Sequence, residues 1–282
     1  IFSSTFGAGA SGSIQIRASE SITMSGVLPG TLQLGPAVYR NQGSGIVNES
    51  FGLGQAGPVF VSTPTLTMNG ANIASATFGP GGAGDVNIQA ATISLTGGAD
   101  ISTSSLASGP GGITSVTASE QLSISGNSGR SQSFESFTIV NVPSAIAATA
   151  LGTGRAGAIT VNTPRLTMFD GGLILTTTGG DRPAGSITVN AGMVNLSSGA
   201  SISSRSGFNV AGIILVGNGA GGTIAVNATG PVTIADQGSG LFTTSVGSGV
   251  GGNINLRGSA IHLSNGASMS ATSAGRGNAG NI

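Results

Sequence analysis

The sequence predicts an all-β chain folded as a right-handed parallel β-helix, a solenoid of about eight three-strand coils of roughly 28 residues. The first observation is a fixed connection. Thirteen residues separate the start of one apolar strand from the start of another: Ile46 to Val59, Ile73 to Val86, Ile146 to Ile159, Ile174 to Ile187, Leu241 to Ile254 and Met269 to Ile282. Ile1 leads to Ile14 and Ile101 to Thr114 in the same way, and only Ile202 to Ile224 is longer. The second is strict alternation of apolar and polar residues, as in Ile159-Thr160-Val161 and Leu166-Thr167-Met168, which marks strands with one buried face. The third is punctuation. Gly makes up 51 of 282 residues while charged residues are only 6%, against usual values of ~7% and ~25%.

Each unit is read as three strands. The first begins at 14, 59, 86, 114, 159, 187, 224 or 254, and the second follows seven or eight residues later. A turn such as Asp170-Gly171-Gly172 then leads to the third, at Ile174 in that unit. A single coil cannot cover its apolar side chains, so stacked coils must bury them in columns. The second-strand column is expected to be Met24, Met68, Leu95, Ile124, Met168, Leu196, Ile234 and Leu263. Outside, Asn162, Asn190 and Asn227 hold equivalent places and are positioned to stack their amides. A sandwich or barrel would instead call for hairpin turns and no fixed long period. The whole of 1–282 reads as one β-helix segment, a window from a longer repeat protein.

The motifs that resemble chemistry are better explained as architecture. G-x-G-x-x-G occurs at Gly7-Gly9-Gly12, Gly52-Gly54-Gly57, Gly79-Gly81-Gly84, Gly152-Gly154-Gly157, Gly217-Gly219-Gly222, Gly247-Gly249-Gly252 and Gly275-Gly277-Gly280. A phosphate loop is needed once, between a strand and a helix. Seven copies before strands read as a solenoid corner, whose glycines are expected to supply positive φ and close approach. Asp85 falls one place too early for a calcium-binding nonapeptide, and neighbouring units lack the acid. His262, the single histidine, lies between Ile261 and Leu263 and so points outward. Glu20 and Glu120 match in position but lie three coils apart, roughly 14 Å at the strand spacing, too far for paired acid–base work. The expectation is therefore no enzyme activity, no catalytic residue, no metal site and no cofactor.

Nine Arg, no Lys and nine acids leave a formal charge of zero. This does not favour nucleic acid or an anionic membrane as a partner, since both call for a clustered basic face. No apolar run approaches the ~20 residues of a membrane span, and cysteine is absent. Insertions near 25–45, 125–145 and 208–219 are the departures from the unit. The first two begin alike at Ser25-Gly26 and Ser125-Gly126 and carry Tyr39, Arg40, Arg130, Phe134, Glu135 and Phe137. Aromatic and Arg residues on loops are typical binding anchors, so Tyr39, Arg40, Arg130, Phe134 and Phe137 are the candidate surface-recognition residues, grouped in one shared patch. The plainer expectation is an arch or extra strand packed on the rod. The third insertion, with Ile213-Ile214-Leu215-Val216, reads as an added strand.

The stretches Ala156-Gly157-Ala158-Ile159-Thr160-Val161-Asn162, Ala184-Gly185-Ser186-Ile187-Thr188-Val189-Asn190 and Gly251-Gly252-Asn253-Ile254-Asn255-Leu256 resemble the repeats of filamentous haemagglutinin-like exoproteins. So do the turns Ser198-Gly199-Ala200-Ser201-Ile202 and Asn265-Gly266-Ala267-Ser268-Met269. The resemblance is to large exoproteins of cyanobacteria and other Gram-negative bacteria. It implies a secreted β-helical shaft at the cell surface, exported through an outer-membrane secretion partner in two-partner fashion. Adhesion or aggregation would be its role, with a host or neighbouring cell surface, extracellular matrix or polysaccharide as partner. The alternative is a structural subunit of a filament, sheath or surface layer, copies stacking end to end through open strand edges.

Overall fold

The computed structural model describes residues 1–26, 31–34, 37–40, 43–128, 131–134, 137–140, 142–210 and 213–282, with strands between 31–40, 131–140 and 208–215 as backbone only. It is all-β, with no helix among the described residues. Two large sheets, nine-stranded and eleven-stranded, are built of parallel pairs, each strand hydrogen-bonded to its equivalent in the units before and after.

The registers give the columns read from the sequence. Met24 pairs with Met68, Met68 with Leu95, Leu95 with Ile124, Ile124 with Met168, Met168 with Leu196, Leu196 with Ile234 and Ile234 with Leu263. Third strands align Ile46, Ile73, Ile101, Ile146, Ile174, Ile202, Leu241 and Met269. These columns meet in one apolar core. The amide ladder also forms: Asn190 Nδ2 donates to Asn162 Oδ1 at 2.9 Å and Asn227 Nδ2 to Asn190 Oδ1 at 3.1 Å.

Three features differ from the expectation. The first and second strands run together as one bent strand in five units, for example Val59–Asn69 and Ile159–Phe169. The bend is a change of phase. Val59, Val61 and Thr63 point in, Pro64 and Thr65 are exposed in succession, and Leu66 and Met68 point in again. Pro64 and Pro164 sit at positions that carry no register partner, where a missing N–H costs no ladder bond. The eight-residue spacing in Thr114–Ser125 is a register shift between Ala118 and Gln121.

The second difference is at the corners. No glycine of the G-x-G-x-x-G series has positive φ. Left-handed backbone lies at the opposite corner, between second and third strands. There Asp170 (φ 49°) and Gly171 (φ 76°) precede Gly172, whose N–H donates to Phe169 O. Two central residues with positive φ define a type I′ turn. The glycine series is selected for size instead. A Cβ on Gly154 would collide with the carbonyl oxygen of Gly109 one layer before, and one on Gly109 with that of Gly81.

The third is a polar column inside the core. Ser75, Thr103, Thr176, Ser204 and Thr243 are fully buried. They bond to the glycine two residues before a first strand: Thr103 Oγ1 to Gly112 O at 2.8 Å, Thr176 Oγ1 to Gly185 O at 2.7 Å and Thr243 Oγ1 to Gly252 O at 2.6 Å. The carbonyls of a loop stripped of side chains would otherwise be buried without partners. These hydroxyls tie third strand to corner in every such layer.

Candidate recognition face

Each insertion contains an antiparallel hairpin, separate from the two large sheets. Thr31–Leu34 pairs with Ala37–Arg40, Ser131–Phe134 with Phe137–Val140, and Phe208–Val210 with Ile213–Leu215. All three lie in connections between the two large sheets. The first two lead into the strands Gly45–Ser50 and Ala145–Ala150, and the third follows Ser201–Ser206. Where an arch or one added strand was expected, each insertion contains two strands, paired with each other.

The first two hairpins share a neck. Ser44 N–H donates to Gly26 O at 3.1 Å, and Ser144 N–H to Gly126 O at 2.9 Å. Gly26 and Gly126 have φ of 85° and 72°, so the chain turns out of the layer by the same device. The second neck is further closed by Ser128 N–H to Val142 O at 2.8 Å and the bridge between Asn127 and Pro143.

Of the recognition residues read from the sequence, Tyr39 and Arg40 lie on the second strand of the first hairpin, opposite Leu32 and Thr31. Phe134 and Phe137 face each other across the second hairpin. Arg130 lies outside the described residues, as does Glu135. The necks are three layers apart in register, about 14 Å at the inter-strand spacing. The geometry places two of these residues on each hairpin and leaves the two pairs on different layers.

What the sequence does not reveal is the outward face of the nine-stranded sheet. Ile46, Ile73 and Ile101 point inward, so alternation turns Val47, Ala74 and Ser102 outward. Yet these outward residues are buried, and so are Glu49, Thr177 and Ser203. On the other sheet the outward Phe60 is 41% exposed. Part of the outward face of the nine-stranded sheet is thus withdrawn from solvent, and the face carries ionisable residues: Glu49, which is buried, and Asp100 and Arg205, which are partly buried.

Asp100 stands in register with Asn72 and Ala145, neither of which is charged. Burial pushes its carboxyl up to about 6, against a hydrogen bond from Ser102 Oγ to Oδ2 at 2.5 Å that pulls it down. The folded value lies above the ordinary 3.8, so the protonated group supports the fold below about pH 4 and that support is lost as pH rises through 6. Asp100→Asn is expected to be more stable than the parent at pH 8, by about 1–2 kcal/mol, with the gain gone at pH 4. Calorimetry at the two pH values checks this; an equal difference at both would refute it.

Glu49 and Asp100 lie two strands apart and at opposite ends of their strands. Asp85, considered above for calcium, accepts Ile113 N–H at 2.8 Å from the next layer. No group of three His, Cys, Asp or Glu stands close enough to hold a metal ion among the described residues. His262 is exposed on the strand Ile261–Ser264. No helix among the described residues is long and apolar enough to cross a membrane.

No protein-family model, curated protein or solved structure matches this chain.

Proposed function

We propose that the chain is a right-handed parallel β-helix of about eight coils of roughly 28 residues, a rod on the order of 40 Å long. It serves as an extracellular shaft of a secreted surface adhesin of a Gram-negative bacterium. The observation that carries this reading is the unbroken alignment of equivalent strands through successive units. Stacking of this kind makes a stiff body whose length grows with repeat number. The resemblance of its repeats to filamentous haemagglutinin-like exoproteins supports secretion through an outer-membrane partner and a role in adhesion or aggregation. The hairpins, set in the connections between the two large sheets, are where contact with a cell surface, matrix or polysaccharide would be made.

The test is display of the chain on a non-adherent bacterium, with and without residues 27–42 and 127–142, deletions that restore the six-residue spacing of Leu95 to Ile101 between second and third strands. Attachment and clumping are expected to fall at least tenfold on removing both segments, with circular dichroism and melting temperature of the purified chain unchanged. Attachment that survives the deletions sinks the reading of the hairpins as contact elements. Concentration-dependent growth of regular fibres in sedimentation and electron microscopy would instead favour the filament or surface-layer subunit.

A further inference from the structure

Arg205 and Thr177 stand opposite each other on neighbouring strands, both on the withdrawn outward face of the nine-stranded sheet. Arg205 Nε and Thr177 Oγ1 are buried, and neither has a hydrogen-bond partner. On its other side Arg205 is in register with Thr244. No salt bridge reaches it among the described residues, and the one influence on its proton affinity is desolvation, which lowers it. A guanidinium keeps its charge in proteins. Buried cations are ordinarily paired, because desolvation without a partner is costly. A charge held here without one marks a place where an anion completes the structure.

The surroundings define what kind of anion. Arg205 opens on a cleft of about 330 Å³, lined also by Ser201, Ser203, Thr244, Phe242 and Gly207, within the size range of small-ligand sites. The cleft therefore begins at the root of the third hairpin, since Gly207 immediately precedes the strand Phe208–Val210. Three hydroxyls there can each donate or accept. Phe242 supplies an apolar wall: its ring lies over Gly240, where a Cβ would stand 2.6 Å from Cζ. Among the described residues the cleft has a cation and no acid, so it suits an anion better than an ammonium group. Hydroxyls, one ring and a planar fork of N–H donors match a hydroxylated ring bearing a carboxylate.

We propose that this cleft binds a uronate unit of an acidic saccharide, with Arg205 holding the carboxylate, Ser201, Ser203 and Thr244 meeting ring hydroxyls, and Phe242 packing on the C–H face of the sugar. The site stands on the cleft alone and does not depend on the chain being an adhesin shaft.

The experiment titrates the purified chain with digalacturonate, with its neutral methyl ester and with acetate, by calorimetry and by thermal shift. Digalacturonate is expected to bind at least tenfold more tightly than the methyl ester, and to raise the melting temperature where acetate at equal concentration does not. Arg205→Gln is expected to lose binding at least tenfold while melting no lower than the parent, since it removes an unpaired buried charge. Phe242→Ala is expected to weaken the saccharide while leaving the preference for the acid over its ester. Equal affinity for acid and ester, undiminished binding by Arg205→Gln, or no binding by the parent at tens of millimolar each overturns the proposal. An acetate shift as large as that of digalacturonate overturns the saccharide assignment.

Discussion

Gly154→Ala is expected to destabilise the chain by about 3 kcal/mol or more, and to do so by collision rather than by backbone strain. Its Cβ would meet Gly109 O, with Gly109 C at 2.7 Å and Ser108 O at 3.2 Å behind it. That carbonyl cannot swing aside cheaply, because Ser105 Oγ already donates to it from the buried face. Gly171 is the control. Nothing lies within 4 Å of its Cβ position, but its φ is +76°, so alanine there costs about 1–2 kcal/mol. The two glycines should also differ towards asparagine, which tolerates left-handed backbone. Gly171→Asn is expected to be nearly neutral and Gly154→Asn as damaging as alanine. Urea denaturation of the four variants checks the pair of mechanisms; a Gly154→Ala midpoint equal to the parent's would refute the first.

Ile124→Ala is expected to cost about 3–4 kcal/mol, in the range found for large-to-small changes in rigid cores. Ile124 is fully buried between Leu95 and Met168 in the second-strand column. Both neighbours are held by their own backbone ladders, so the hole has little means of closing. Leu263 occupies the equivalent position in the last layer described and is 42% exposed. Leu263→Ala should cost less than about 1 kcal/mol, since less apolar area leaves water. Similar losses at the two positions, measured by denaturant midpoint, would mean that the layers do not share one core.

The alternation of residues such as Ile159-Thr160-Val161 made the columns legible, because a one-residue slip would turn every Ile outward. The corners were misread for a physical reason. Glycine serves two needs, freedom of φ and absence of a Cβ, and a sequence does not say which one operates. Gly154 is there for space and Gly171 for conformation. Thr65-Leu66 looked like the start of a new strand because the in–out phase changes after Pro64, yet the ladder resumes at Thr65. The hairpins were visible as insertions, but their pairing is antiparallel and internal, which the parallel period around them conceals. Arg205 was invisible as a candidate. In Ser201–Ser206 it holds an outward position, where an Arg normally reads as solvated surface. Only the folded structure shows that its Nε is buried without a hydrogen-bond partner.

The constant spacing also bears on chain entropy. Contacts such as Asn162 to Asn190 and Thr176 to Ser204 join residues 28 apart, so adding a layer closes a loop of the same length each time. The first strands at Ile14 and Val59 are 45 apart. Loop-closure cost rises with the logarithm of length, so the longer segment adds only about 0.4 kcal/mol. Once two neighbouring layers have formed, a hairpin at a corner is almost free to acquire, lengthen or replace. The segments between layers can therefore differ in length, as they do here, without disturbing the glycine and hydroxyl columns.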